Sequence, residues 1–325
     1  MKTVLKYVLS LLLGGGLLWY IYRDQDLNLL LDTLKGANFV WIGVCVFVGL
    51  LAHLSRAIRW KMLLEPLNQK PSNLNTFNAV MTGYVGNIVV PRAGEVSRCA
   101  YLYKTDNVPI ESGFGTVVTE RLFDLLSFMI VTGIAVLLEF DVLGKYVLGE
   151  LNKNNGNSNQ LKYIVLGVLL ALALAFFYIF NKYKATFLKY PIVLKIWNFL
   201  IGLAEGIMSI KNLKNPLLFI FHSVFIWLMY FAATYCLFKA FHSTELLGVN
   251  VAIAIFVFGS LGMIIPTPGG AGSFHFFVTV GLTLYGISQS DAGIFAAIAH
   301  ATQTFGILLI WLIGFLVGLS AKKTA

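Results

Sequence analysis

Three charged side chains fall inside strongly apolar sequence, in the run VVTERLFDLLSF from Val117 to Phe128. On a helix, Glu120 and Asp124 are i,i+4 neighbours and Arg121 and Asp124 are i,i+3 neighbours, so two acids and one base project near one face. A charge at the centre of a bilayer costs ~2.5–3.5 kcal/mol on insertion scales. Three such groups must therefore face partners or water, not lipid. Two compatible roles fit them: the wall of a hydrophilic cavity, or an ion-pair network that locks helices together.

A second polar set is NIVVPRAGEVSR, from Asn87 to Arg98. Pro91 and Gly94 break the helix, and Arg92, Glu95 and Arg98 lie within two turns of the break. If a half-helix begins after Pro91, its free amides favour an anion, and Arg92 and Arg98 add bidentate phosphate contacts. The alternative is a cytoplasmic loop whose arginines meet headgroups nonspecifically. A third set is PTPGGAGSFHFF, from Pro266 to Phe277. Pro266, Pro268, Gly269, Gly270 and Gly272 suit a hinge or a re-entrant tip, since glycine allows positive φ and close backbone approach. It is no phosphate-binding P-loop, because no Gly-Lys-Ser/Thr follows. The alternative is a simple kink. His275 and His300 lie nearby in apolar sequence, with Gln303 i,i+3 from His300; histidine titrates near neutrality in water, and a neutral hydrogen-bonded ring is its commoner state in such surroundings.

No metal-ligand spacing occurs, and Cys45, Cys99 and Cys236 are too scattered for a metal or disulfide framework. The expectation is no cofactor and no metal.

Those residues need a frame, and composition supplies it. Of 325 residues, 58% are hydrophobic and 12% charged, against about 25% charged in soluble domains. Mean hydropathy is +0.79. The net charge of +9 sits between apolar runs, which is the pattern of membrane topology, not of nucleic-acid binding. A crossing needs about 20 apolar residues, and the candidates are 4–22, 39–58, 114–140, 161–181, 217–240 and 293–319. The first resembles a signal peptide but has no cleavage site, and reads as a retained helix. Stretches 74–104 and 248–287 are apolar but interrupted, so each should break in the membrane. The basic residues Arg56, Arg59, Lys61 and Lys70 follow the second crossing, Lys182 to Lys214 follow the fourth, and Lys322 and Lys323 end the chain. They predict cytoplasmic loops and cytoplasmic termini, with the Asn-rich segment 149–160 outside. Charge leaves six and eight crossings both open.

Four short stretches recur in the same order. Leu5-Lys6-Tyr7 pairs with Leu161-Lys162-Tyr163, and LSRAIRWKMLL from Leu54 with LFKAFHSTELL from Leu237. GYVGNIVVPRAGEVSR from Gly83 pairs with GSLGMIIPTPGGAGSF from Gly259, and the surroundings of Arg121 with those of His300. The expected fold is an all-α polytopic membrane protein: six to eight transmembrane helices and two broken or re-entrant elements. One domain, 1–325, would comprise inverted halves 1–150 and 151–325. Such architectures place a transport site at the repeat interface.

Pro91 to Arg98, Glu120 to Asp124 and Pro266 to Gly272 resemble, in order, the Pro-x-x-Gly-Glu-x-x-Arg, Glu-Arg-x-x-Asp and Pro-x-Pro-Gly-Gly-x-Gly elements of the lysylphosphatidylglycerol synthase transmembrane region, or flippase-like domain, family. The resemblance covers essentially the whole chain. It implies movement of a lipid across the cytoplasmic membrane. In two-part members a cytosolic aminoacyl-transfer domain makes the lysylated lipid; this chain ends at Ala325, so no such domain is expected here. His275 stands where members commonly carry Glu, which loses an acid for a cationic headgroup. The expected function is a lipid translocase for a polar or charged headgroup, with Glu95, Glu120, Arg121 and Asp124 setting cavity charge and a membrane lipid as its partner. The alternatives are an enzyme or accessory subunit in glycolipid or aminoacyl-lipid synthesis, with a biosynthetic enzyme as partner.

Overall fold

The computed structural model describes residues 2–23, 27–139 and 209–323. Among these every regular element is helical: α1 (Lys2–Tyr22), α2 (Leu27–Lys35), α3 (Phe39–Leu64), α4 (Asn73–Val89), α5 (Gly94–Asp106), α6 (Ile110–Leu138), α7 (Pro216–Ala240), α8 (Val249–Ile264), α9 (Ser273–Leu284) and α10 (Gln289–Lys323), with short 3-10 turns. The chain forms two compact units, Met1–Leu138 with Lys211–Ala325, and Glu139–Ile210. The fourth expected crossing at 161–181, the segment 149–160 and Lys182 to Lys195 lie outside the described residues. All geometry below belongs to the first unit.

Four described helices are long and apolar enough to cross a membrane: Phe39–Leu67, Ile110–Leu138, Pro216–Ala240 and Gln289–Gly318. They turn side chains such as Val40, Leu137, Leu217 and Leu309 outward, which is the arrangement expected where the surrounding solvent is hydrocarbon. Leu9–Tyr22 and Val249–Ile264 are shorter apolar helices. The molecule is a multi-pass membrane protein.

The length of the apolar run placed the second crossing at 39–58, with Arg56 and Arg59 read as cytoplasmic charges that follow it. The structure corrects this. Asn38 caps α3 by accepting the Val40 N–H at 3.1 Å, and the helix continues to Leu64. Pro66 is the first residue that cannot extend it. Arg56 and Arg59 are therefore helix-interior residues and buried, not loop charges. Lys61 and Lys70 remain toward the helix end and beyond it.

Both interrupted stretches break where proline and glycine demanded. The first divides into α4 and α5, of 17 and 13 residues. The second divides into α8 and α9, of 16 and 12 residues. At a rise of ~1.5 Å per residue, each arm falls short of the ~30 Å hydrocarbon core. The arms of each pair pack on each other, giving two helical hairpins.

The hairpins share their construction. Gly86 lies against Ser97 in the first, and Gly262 against Ser273 in the second. Asn87 abuts Gly94, and Met263 abuts Gly270. Gly83 faces Arg98, and Gly259 faces Phe274. All three pairs correspond at one constant offset, the one that aligns GYVGNIVVPRAGEVSR with GSLGMIIPTPGGAGSF. At Gly94 the approach is extreme: a methyl group there would lie 2.2 Å from the Gly83 carbonyl oxygen.

Two apolar cores flank these hairpins. One gathers Trp60, Leu64, Ala79, Leu102 and Val117 from α3 to α6. The other gathers Phe238, Ile255, Val278, Leu282 and Phe295 from α7 to α10. Helix α1 packs on the second hairpin, where Gly14 meets the Ala271–Gly272 backbone. Tyr22 then donates its hydroxyl to the Gly293 carbonyl at 3.0 Å.

Candidate functional site

Helix α6 presents Glu120 and Asp124 on the same side, as their spacing predicted. Helix α3 meets them with Arg56 and Arg59, and α5 adds Arg98. Glu120 is 0% exposed. Its Oε1 accepts from Arg56 Nε at 2.6 Å and lies 3.4 Å from Arg59 Nη2; its Oε2 lies 2.8 Å from Arg98 Nη1. Asp124 pairs with Arg56 through Oδ2, and with Arg59 Nη2 through Oδ1 at 2.6 Å. The remaining arginine capacity is partly taken by neighbours. Arg56 Nη1 donates to the Tyr230 hydroxyl at 3.2 Å, and that hydroxyl is 2.9 Å from the Tyr84 hydroxyl. Arg59 Nη1 donates to Ser223 Oγ at 3.2 Å. The Arg98 guanidinium stacks over Trp60, 4.5 Å from the ring centroid, and Trp60 donates its own N–H to Thr116 Oγ1 at 3.0 Å. The network thus ties α3, α5, α6 and α7 together. Charged groups can sit in such a place because each is met by opposite charge, and Arg56, Arg59, Glu120 and Asp124 by hydrogen bonds as well, which offsets the cost of leaving water.

A cavity of about 470 Å³ opens beside this network. Its polar wall carries Arg56, Arg121, Asp124, Tyr84, Tyr230 and Gln303. Much of the remaining lining is apolar, including Phe256, Met263, Ile264, Phe274 and Ile307. Leu125, Met263 and Ile264 line it and are exposed.

Of the residues singled out in the sequence, Arg121, Asp124 and Gln303 line this cavity. Glu120 and Arg98 are buried in the network behind its polar wall. Glu95 accepts from Arg121 Nη2 at 2.7 Å and joins α5 to α6. The expected anion site shared by Arg92 and Arg98 is not formed. The half-helix begins at Gly94, not directly after Pro91. Its first amide is occupied, because Gly94 N–H donates to Asn87 Oδ1 at 2.7 Å. Arg92 sits at the turn with φ 63° and is exposed, whereas Arg98 points inward to Glu120.

The second hairpin tip holds the histidines. Gly269, Gly270 and Gly272 all adopt positive φ. His300 Nε2 lies 2.9 Å from the Gly269 carbonyl, and Gly272 N–H donates to His275 Nδ1 at 3.2 Å. The two rings lie 4.7 Å apart. Neither ring is on the cavity wall. His275 thus belongs to the hairpin tip, and the charge of the cavity lining is set by other residues.

Sequence reasoning missed Arg56 and Arg59, the largest omission. The available signal was their i,i+3 spacing in a segment with no helix breaker, which puts both on one helix face just as the i,i+4 spacing does for Glu120 and Asp124. It also missed Tyr84, Tyr230, His53 and Trp227, all of which line the cavity.

A UPF0104 membrane protein of Methanothermobacter thermautotrophicus is 24% identical over 301 residues, covering 87% of this chain and 85% of that protein. A UPF0104 membrane protein of Methanocaldococcus jannaschii is 27% identical over 134 residues, 40% of this chain and 39% of its own length. The glycosyltransferase AglD of Haloferax volcanii is 26% identical over 112 residues, 34% of this chain and 18% of AglD. The last two matches thus span well under half of the relatives' lengths. No solved structure matches. The family model for the lysylphosphatidylglycerol synthase TM region matches residues 7–310, and the chain belongs to that family.

Proposed function

We propose that this protein moves lipids with a polar or charged headgroup across the membrane in which it sits. The observation that carries the proposal is the amphipathic cavity, lined both by Arg56, Arg121 and Asp124 and by Phe256, Met263 and Ile307, within a bundle whose long helices are apolar enough to cross a membrane. A polar headgroup in hydrocarbon forfeits its hydration, and each unpaired polar group there costs several kcal/mol or about that. The polar wall replaces lost water with fixed charges and hydroxyls. Acyl chains remain against the apolar lining and the bilayer. The two hairpins, with Pro91 and Pro266 to Gly272 at their breaks, supply the places where backbone can hinge. The cytoplasmic membrane, with both termini inside, is the setting this reading adopts.

The test is reconstitution into vesicles carrying trace lipids with labelled acyl chains, followed by a membrane-impermeant quencher. Protein-dependent loss of protection supports translocation. Unchanged protection across anionic, zwitterionic, aminoacylated and glycosylated probes would falsify it. A second reading, an enzyme or accessory subunit of glycolipid or aminoacyl-lipid synthesis with a biosynthetic enzyme as partner, draws on the likeness to a protein named a glycosyltransferase. Chemical conversion of a probe lipid in the same vesicles would favour it.

A further inference from the structure

We infer that the cavity selects lipids whose headgroup bears net negative charge and no ammonium group. This rests on the proposal that a lipid headgroup occupies the cavity. The argument begins with charge balance. Four guanidiniums, on Arg56, Arg59, Arg98 and Arg121, meet three carboxylates, on Glu95, Glu120 and Asp124. Arginine stays protonated under any condition a membrane protein meets. The connected set carries a surplus positive charge.

The acids are also committed. Both oxygens of Glu120 lie 2.6–3.4 Å from arginine nitrogens. Both oxygens of Asp124 are paired with Arg56 and Arg59. Glu95 holds Arg121. Among the described residues no carboxylate on the cavity wall is left for an ammonium, which would have to sit beside Arg56 and Arg121. An anion meets the reverse situation. Arg121 is 48% exposed at its side chain, and its Nη1 is 3.9 Å from Asp124 Oδ2, beyond hydrogen-bond range. That leaves donors to turn toward a phosphate. Two residues of the lining, Trp227 and His53, each hold a buried polar atom that is unpartnered among the described residues: Trp227 Nε1 and His53 Nδ1. The indole N–H can only donate, so it suits a phosphate or hydroxyl oxygen. Gln303, on the same lining, supplies a neutral amide that serves hydroxyls without adding charge. The chemistry that fits is a lipid phosphate followed by an uncharged, hydroxyl-bearing headgroup.

The test compares three acyl-labelled probes in phosphatidylcholine proteoliposomes: phosphatidylglycerol, phosphatidylethanolamine and lysyl-phosphatidylglycerol. The expected order is phosphatidylglycerol first, faster than the lysylated lipid by about tenfold or more, because placing like charges together is strongly disfavoured. Arg121→Glu should abolish or invert that preference, and Trp227→Phe should slow phosphatidylglycerol without changing the order. Equal or faster movement of the lysylated lipid by the unaltered protein overturns the inference. If no probe moves, translocation fails and the charge preference is read separately. Short-chain forms of the same three lipids are then titrated into the protein in neutral detergent, with tryptophan fluorescence as the signal. A Kd lower by about tenfold or more for phosphatidylglycerol upholds the selectivity. No binding, or a preference for the lysylated lipid, overturns it.

Discussion

Glu120→Gln removes one negative charge from a site where three guanidiniums converge. Glu120 is fully buried, with Arg56 Nε at 2.6 Å and Arg98 Nη1 at 2.8 Å. The amide keeps one acceptor oxygen but turns an NH₂ toward an arginine, so one contact becomes donor against donor. Removing one partner of a buried pair costs ~3–5 kcal/mol, since the stranded charges remain buried. Here Asp124 would be left alone to balance Arg56, Arg59 and Arg98, which puts the expected loss at the upper end of that range. Arg98→Met keeps an apolar stem against Trp60 and removes the charge that Oε2 meets. Combined with Glu120→Gln it restores the balance, and Arg56 and Arg59 keep Asp124. The double variant should lose ~2–3 kcal/mol less than the two single losses added together. Equilibrium unfolding in mixed micelles, followed by tryptophan fluorescence, gives all four corners of the cycle. A single-variant loss below ~1 kcal/mol, or strictly additive losses, would refute the reading of Glu120 as the anionic centre of the network.

Three further outcomes can be checked with the same preparation. Gly94→Ala would place a methyl 2.2 Å from the Gly83 carbonyl, and Gly272→Ala would place one 2.2 Å from the Gly14 carbonyl at a φ of 82°; each should lower stability by ~1–3 kcal/mol or more, while Gly115→Ala, with nothing within 4 Å, should not. Arg92→Gly should leave stability unchanged or raise it by ~1 kcal/mol in the unfolding assay, because Arg92 is exposed and holds φ 63°, a conformation that costs a residue with a Cβ ~1–2 kcal/mol. Cys99, 1% exposed, should resist maleimide in the folded protein when Cys45 and Cys236 are replaced by Ser, and should react at the rate of a free thiol once the protein is unfolded; mass spectrometry reads both states.

The breaks in the two hairpins were legible because proline and glycine act through covalent geometry, which needs no tertiary context. Pro91 and Gly94 ended and restarted a helix, and Pro266 to Gly272 made a tip of positive-φ glycines. The acidic half of the site was legible for a similar reason, since the helix period alone puts Glu120 and Asp124 together. Arg56 and Arg59 were not. Their burial depends on α6 lying across α3, and a positive residue at the end of an apolar run ordinarily marks a loop. The split between Arg92 and Arg98 was also hidden. Each residue by which a helix start moves turns every later side chain by about 100°. A start at Gly94 in place of Arg92 is enough to send Arg98 inward while Arg92 stays on the turn.

The matched hairpin contacts give the charge distribution a structural meaning. Arg98 occupies, on the first hairpin, the position that Phe274 occupies on the second: each faces the first glycine of its hairpin, Gly83 or Gly259. The helices that follow continue the comparison, because the spacing that aligns Arg121 with His300 also aligns Asp124 with Gln303. Asp124 and Gln303 both line the cavity, as does Phe274. The equivalent positions Asp124 and Gln303 therefore contribute to one cavity from α6 and α10, one ionised and the other neutral. Charging both sides would require a second set of buried counter-charges, each with its own desolvation cost. Charging one side confines that cost to the Arg56–Arg59–Arg98–Glu120–Asp124 network and leaves Phe274 and its neighbours as apolar lining. A lipid is itself divided into a polar end and an apolar end, and a cavity divided the same way can hold both ends without burying either against the wrong partner.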